Sequence, residues 1–134
     1  MTPKEFIKSW FADIDANKFD ALKKKMNSNH QFNNPMTPTT VGSDQHLGMI
    51  QQMTDAWEGG HTLDVVISEG EWVTARGRWS GKHTGEFNGV PATGKHIEFS
   101  FLDMMHVVND QVVEEYFELN PMSIMQQIAP AGAA

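Results

Sequence analysis

The N-terminal part of the chain places apolar residues at helical spacing. Residues 2–5 have the form of a capping box, with Pro3 at the first helical position. Two further patterns of the same period follow, a shorter one at 19–26 and one from Ser43 to a stop at Gly59-Gly60. Three helices are therefore predicted, the first two as an antiparallel pair. Their apolar positions include Phe6, Ile7, Trp10, Phe11 and Ile14, then Phe19, Leu22 and Met26, then Leu47, Ile50, Met53 and Trp57.

Further along the chain the apolar period changes from helical to two. Strands are predicted at 62–68, 71–81, 95–108 and 112–119, after a short extended piece around Gln31 and Phe32. Asn120-Pro121 can cap a final helical turn that runs to Ile128. The pattern predicts an α+β fold in which three N-terminal helices pack with a mostly antiparallel sheet. Residues 1–128 are predicted to form a single domain, and 129–134 a disordered tail.

The strand at 95–108 carries an acidic residue on its apolar face. In IEFSFLDMMHV, Asp103 shares a face with Phe101 and Met105. A buried carboxyl group without a partner responds with a raised pKa, and such a group suits general acid or base chemistry. Three structural roles remain open instead: Asp103 caps a backbone group, pairs with Arg76 or Arg78, or lies on an outward bulge.

The partner strand can be aligned in two registers. A two-residue loop at 109–110 would turn two glutamates toward the apolar face and set Asp103 opposite Tyr116. A three-residue loop at 109–111 sets Phe117 opposite Asp103, and Glu115 opposite Met105. We favour the second register, because the face that must be buried sets the pairing. Its inward positions are Val113, Glu115, Phe117 and Leu119.

Composition and charge narrow the classes of partner that the protein can have. A formal net charge of −7 argues against nucleic acid, since phosphate neutralisation needs a basic face, and the Lys23–Lys25 cluster fits a solvated helix face. The chain has no cysteine, and no apolar run approaches the roughly 18 residues of a membrane span. A basic N-terminal segment with an apolar signal region is also missing, so we expect a cytoplasmic protein without membrane contact.

Other site motifs are missing from the sequence. The six histidines show no metal-ligand spacing, so we assign no metal, and His30 and His83 stand out only because both lie near predicted loops. The glycines of 81–94 form no phosphate-binding pattern, and no G-x-S-x-G elbow is present. We expect no cofactor.

Residues 79–128 contain a set of matches to a known family, at Gly81, His83, Thr84, Gly85, Phe87, Gly89, Pro91, Thr93-Gly94-Lys95, Val113-Glu114 and Gln126-Gln127, and a looser match lies upstream at HQFNNP. On these residues the stretch resembles the SnoaL-like polyketide cyclase family of the nuclear transport factor 2-like superfamily. The resemblance implies a cone-shaped, curved antiparallel sheet packed over the three N-terminal helices, as in ketosteroid isomerase-like folds. It also implies a deep pocket, and a homodimer built through the sheet.

Family members with known chemistry close a ring in a polyketide by intramolecular aldol condensation, without metal or organic cofactor. Their late strand usually reads Val-Glu-His-Trp-Asp, whose aspartate is the acid/base group. Here residues 113–117 read Val-Glu-Glu-Tyr-Phe, so Phe117 occupies that position and Glu115 replaces the histidine. Three possibilities stay open: the acid/base role has moved to Asp103, the chemistry is an isomerisation or hydration, or the pocket binds a small molecule without turnover.

We predict a cofactor-independent lyase- or isomerase-like enzyme for a hydrophobic, carbonyl-bearing small molecule. Asp103 is the predicted proton shuttle, assisted by His83 and Glu115. The alternatives are a non-catalytic binding protein that uses the same pocket, and an assembly protein whose interior is filled by side chains. The outer sheet face, with Leu102 and Met104, suits a homodimer. The predicted pocket residues are Trp10, Phe32, Asn34, Trp57, Phe101, Met105 and Phe117.

Overall fold

The structure is a computed structural model that describes residues 1–129. Of the predicted tail at 129–134, only Ala129 is among the described residues. The helices are α1 (Pro3–Asp15), α2 (Phe19–Lys25), α3 (Ser43–Ala56) and α4 (Pro121–Ile128). The strands are β1 (Met26–Asn33), β2 (Trp57–Glu69), β3 (Trp72–His83), β4 (His96–Val108) and β5 (Gln111–Glu118).

Both predicted helix caps are present. The Thr2 hydroxyl accepts a hydrogen bond from the Glu5 backbone N–H at 3.2 Å, and the apolar side of α1 is buried. Asn120 caps α4 in the same way, by accepting from the Met122 backbone N–H at 3.1 Å. These bonds satisfy backbone donors that a helix leaves without partners at its first turn.

The five strands form one sheet in the order β1-β5-β4-β3-β2. The β2-β3, β3-β4 and β4-β5 pairs are antiparallel, and β1 joins β5 in parallel. The predicted extended piece around Gln31 and Phe32 is a longer strand than expected, because it begins at Met26. The apolar spacing places Met26 in the second helix, but the residue is buried opposite Val112 as part of the sheet.

The predicted end of the third helix at Gly59-Gly60 is wrong. Helix α3 ends at Ala56, and Trp57 opens β2 opposite His83. A Cβ atom built on Gly59 would lie 2.6 Å from the Gly81 Cα and would also meet the Ser80 carbonyl oxygen. The glycine therefore allows two strands to approach closely. In a sequence, such a glycine cannot be distinguished from one that ends a helix.

The β4-β5 hairpin combines features of both predicted registers. Asn109 and Asp110 have φ angles of 51° and 59° and form a two-residue loop between paired Val108 and Gln111. A bulge then shifts the pairing between His106 and Val107. Beyond it Asp103 faces Phe117 and Met105 faces Glu115, so the favoured register is confirmed.

The bulge corrects one predicted inward position of this hairpin. Val112 is fully buried, whereas Val113 is only half-buried and is the extra residue of β5. A bulge sets two residues against one, so it brings Glu115 back to the inner face despite the short loop.

The concave face of the sheet packs against α1 and α3, and this interface holds the core. Along β4 the inner positions from Ile97 to Val107 are all buried, Asp103 among them, and the residues between them are half-buried or exposed. The predicted α+β fold with a curved sheet over N-terminal helices is confirmed. Within residues 1–129 the structure contains no helix with the length and apolar character of a membrane span.

Candidate active site

Asp103 is completely buried on the inner face of β4. Neither of its carboxylate oxygens accepts a hydrogen bond from an N–H or hydroxyl group among residues 1–129. The two arginines considered as partners lie on the opposite face of the sheet, where both contact Asp64. The Arg78 Nε atom lies 3.0 Å from an Asp64 oxygen, and the Arg76 Nη1 atom lies 3.5 Å from it. The arginine pairing considered for Asp103 is therefore excluded.

Glu115 shares this interior with Asp103. It is 1% exposed, and it lies one inward position before Phe117, the cross-strand partner of Asp103. Side chains in this diagonal relation are within reach of each other across antiparallel strands. Burial raises the pKa of the Asp103 carboxyl to about 7. Burial, followed by the charge of Asp103, raises the pKa of Glu115 well above its usual range.

The two carboxyl groups are close enough for one, when protonated, to donate a hydrogen bond to the other. Both oxygens of Asp103 and the Oε1 atom of Glu115 are buried without an N–H or O–H donor from the described residues. Two buried charges of the same sign are strongly unfavourable, whereas one protonated carboxyl can donate to its neighbour. Burial raises the pKa of both groups, and a hydrogen bond between them favours protonation of one and ionisation of the other. The pair therefore holds at least one proton near neutral pH.

Two histidines complete this cluster. The His30 Nε2 atom of β1 lies 2.9 Å from the His46 Nδ1 atom of α3, and both rings are buried. The same two nitrogens lie 4.0 and 3.9 Å from the Glu115 Oε1 atom. Burial lowers the pKa of His30 to about 4, and burial together with His30 lowers that of His46 well below its usual range. Both imidazoles are therefore neutral at pH 7.

These three residues could also hold a metal ion. One ligand atom from each of His30, His46 and Glu115 lies within 4.8 Å of the others, and the set of two imidazoles and a carboxylate suits a divalent transition metal. In this geometry the two histidines hydrogen-bond directly to each other. Their spacing along the chain gives no motif because they come from β1, α3 and β5.

A cavity of about 1200 Å³ opens beside the cluster, between the sheet, α1 and α3. Glu115 and His46 belong to its wall, and so do four of the predicted pocket residues: Trp10, Phe32, Trp57 and Phe117. The assembly-protein alternative requires an interior that is filled by side chains. The cavity shows that the interior is not filled.

Three predicted pocket residues lie elsewhere. Phe101 and Met105 are buried in the core, where Phe101 packs against Phe117 with ring centroids 5.2 Å apart. Asn34 lies in the loop after β1, and its side chain accepts hydrogen bonds from the Met36 and Thr37 backbones. A turn residue of this kind is occupied by its own loop, so Asn34 does not line the cavity.

His83 is placed far from the acid pair. Ala75 of β3 lies opposite Asp103, and His83 is eight residues further along the same strand, or about 26 Å at the rise of an extended chain. Its Nδ1 atom accepts from the Thr93 backbone N–H at 3.2 Å, and its ring stacks on Trp57. The structure thus brings together Asp103 and Glu115 of the predicted trio, but it leaves His83 at the other end of the sheet.

The fold and site define a class of protein: a curved sheet over helices, with buried acid groups beside a deep cavity. The chain belongs to the SnoaL-like polyketide cyclase family, whose sequence profile matches residues 5–128. No curated protein matches the chain.

Solved structures share the fold at low sequence identity. IdmH, a proposed polyketide cyclase from Streptomyces antibioticus, is 21% identical with a TM-score of 0.86, over 97% of this chain and 100% of its own. A proposed SnoaL-like polyketide cyclase from Jannaschia sp. CCS1 is 20% identical with a TM-score of 0.86, covering 96% and 92%. AclR, a proposed hydroxylase from Streptomyces galilaeus, is 17% identical with a TM-score of 0.85, covering 94% of each chain.

Proposed function

We propose that this protein is a cofactor-independent enzyme that moves a proton on a hydrophobic, carbonyl-bearing small molecule, by aldol cyclisation or by isomerisation. The observation that carries the proposal is the buried Asp103–Glu115 pair, whose Glu115 member lies at the wall of the large cavity. Family membership and the cyclase names of two structural neighbours support cyclisation.

Glu115 is the member of the pair that meets the cavity, and Asp103 lies behind it. A carboxylate of the pair removes a proton from a carbon next to a carbonyl group, which leaves an enolate. In cyclisation the enolate carbon forms a bond to a second carbonyl carbon of the same molecule, and the new alkoxide takes the proton back. In isomerisation a different carbon takes it. The cavity holds both ends of one substrate together, which favours the intramolecular reaction.

A pKa near neutrality explains how one site can act as base and then as acid. Desolvation brings the pKa of Asp103 to about 7, so gaining and losing a proton are nearly balanced at neutral pH. General acid–base groups are most effective when their pKa lies close to the working pH. Phe117, at the position of the family's aspartate, adds an apolar wall beside the pair.

The test uses 2-tetralone, a hydrophobic ketone, and follows exchange of its α-protons for deuterium by NMR in buffered D₂O. Wild-type protein should accelerate the exchange. Glu115→Gln and Asp103→Asn should each lower the protein-dependent rate by at least about 100-fold, the lower range for a general acid–base group. The control is Glu69→Gln, which alters an exposed residue at the end of β2 and should leave the rate unchanged. Full exchange activity in folded Glu115→Gln would contradict the proposal.

A second candidate function is binding without turnover, and Phe117 at the expected acid/base position favours it. Under this function 2-tetralone would bind in the cavity, but the wild-type protein would not accelerate deuterium exchange. A titration of tryptophan fluorescence, with Trp10 and Trp57 on the cavity wall, measures binding in the same samples.

A further inference from the structure

We propose that His46 donates a hydrogen bond from Nε2 to the carbonyl oxygen of the substrate and stabilises the enolate oxygen, with His30 as its positioning residue. The inference rests on the proposed function. It identifies the group that stabilises the enolate oxygen, which the carboxyl pair does not do. Removal of a carbon-bound proton places negative charge on the carbonyl oxygen, and a fixed donor at that oxygen lowers the barrier.

The His46 ring is held in one orientation at the cavity wall. It stacks on Phe32 with ring centroids 3.5 Å apart and an interplanar angle of 4°. The ring centroid of Trp10 lies 5.8 Å from that of His46. Its Nδ1 atom is tied to His30, so Nε2, on the other side of the ring, is the nitrogen left for a ligand. A donor fixed in advance costs no reorganisation during the reaction.

The hydrogen bond between the two histidines sets the tautomer. A single proton lies between the His30 Nε2 and His46 Nδ1 atoms, and it belongs to one of them. If His30 donates it, His46 accepts through Nδ1 and carries its own proton on Nε2. The remaining nitrogen of His30, Nδ1, is then unprotonated.

Burial favours this arrangement. The His30 Nδ1 atom is buried and makes no hydrogen bond of full geometry among residues 1–129; a weaker interaction of the ring with the Val112 backbone opposes, but does not outweigh, the lowering of the His30 pKa by burial. Orphaned buried N–H groups are rarer than unsatisfied acceptors, so an unprotonated Nδ1 is the less costly state. His46 therefore presents an N–H to the cavity.

The position of Glu115 suits a base that acts on the same substrate as the His46 donor. Both side chains line the cavity, and the Glu115 Oε1 atom lies 3.9 Å from the His46 Nδ1 atom, so the two residues are neighbours along the wall although Nε2 lies on the far side of the ring. Enolisation needs a base at the carbon and a donor at the adjacent oxygen. A neutral imidazole can fill the donor role, as one does in triosephosphate isomerase.

The test compares 2-naphthol, which mimics the enol of 2-tetralone, with naphthalene, which lacks the oxygen. Wild-type protein should bind 2-naphthol at least about 10-fold more tightly, the effect of one good hydrogen bond. His46→Phe keeps a ring against Phe32 and removes the donor, so this preference should fall to within about 2-fold while naphthalene affinity is retained. His46→Gln, which can still donate, should keep part of it. Equal affinities in wild-type protein, or a preference retained by His46→Phe, would overturn the inference.

Three further measurements distinguish a hydrogen-bond donor from a metal ligand or a purely structural ring. Nitrogen-15 NMR of the His46 imidazole should show the proton on Nε2, and the Nδ1–H tautomer would refute the assignment. Glu115→Gln should abolish deuterium exchange but keep the 2-naphthol preference, so failure of the proposed function is distinguishable from failure of this inference. If a chelator removes the preference and Zn²⁺ restores it, the three residues bind a metal and the donor assignment is wrong.

Discussion

The carboxyl group of Asp103 is buried without a compensating cation, and this should govern how stability depends on pH. Its pKa is about 7 in the folded protein and 3.8 as the ordinary value for an aspartate. The folded state therefore holds the proton more tightly than the unfolded state. The contribution of Asp103 to stability is fully present below about pH 4 and is lost as the pH rises to about 7.

Asp103→Asn should remove this loss. The free energy of unfolding of the variant, relative to wild type, should increase between pH 4 and pH 8 by at least about 1 kcal/mol, close to the value of one pKa unit. Urea denaturation at a series of pH values measures the difference. Asp20→Asn, at an exposed position on α2, serves as the control and should show no such trend. A pH-independent difference for Asp103→Asn would show that Asp103 keeps an ordinary pKa.

The two acidic residues of the site could be predicted from sequence, but the two histidines beside them could not. Asp103 and Glu115 interrupt a period-two apolar pattern, and that interruption is visible in the local sequence. His30 and His46 meet Glu115 only because β1 joins the sheet beside β5 and α3 packs against β1. Local periodicity does not encode such packing. In the sequence His30 stands out only for its position near a loop, and His46 carries no signal.

At the scale of elements, the bulge in β5 reconciles a short loop with an inward Glu115. Without an extra residue, the two-residue loop would set Asp103 opposite Tyr116, and the alternation of side chains would turn Glu115 outward. A sequence shows the polarity of each residue, but not whether a strand contains a bulge. For this reason the register could be predicted from the buried face, whereas the loop length could not.

Deletion of Val113 tests the role of the bulge. Val113 is the extra residue, so its deletion should leave an uninterrupted hairpin in which Glu115 still faces Met105. The variant should fold, with a loss of about 1–2 kcal/mol in the free energy of unfolding, within the usual range for a single change.

Deletion of Tyr116 is the matched control. It lies beyond the bulge, so its loss should turn Phe117 to the outer face and destabilise the protein by clearly more than the Val113 deletion does. Urea denaturation compares the two variants. Equal losses would show that the bulge does not set the register.

At the scale of the whole molecule, the outer face of the sheet carries an exposed apolar patch. On β4, Leu102 is 51% exposed and Met104 is 37% exposed, and on β2, which lies beyond β3, Val65 and Ile67 are exposed as well. We propose that a second copy of the chain covers this patch, as predicted from the sequence. Large exposed apolar patches on a soluble domain are typical of interaction surfaces.

The charges around the patch are complementary under two-fold symmetry. Leu102 pairs with Arg76 of β3 on one side and with Glu118 of β5 on the other. A two-fold axis along β4 would set Arg76 of one copy over Glu118 of the other, and each contact would occur twice. Two opposite charges so placed favour one alignment of the sheets over others.

Charge reversal tests this arrangement by sedimentation velocity. Wild-type protein should sediment as a dimer at micromolar concentration. Arg76→Glu and Glu118→Arg should each weaken the dimer by at least about 10-fold, because like charges then meet at both contacts. The double variant restores opposite charges and should recover most of the affinity, which a change in folding stability alone would not produce. A monomeric wild type, or a double variant weaker than both single ones, would contradict the proposed interface. Because Arg76 and Glu118 lie on the outer face, deuterium exchange on 2-tetralone should continue in the monomeric variants, and this separates assembly from the chemistry of the cavity.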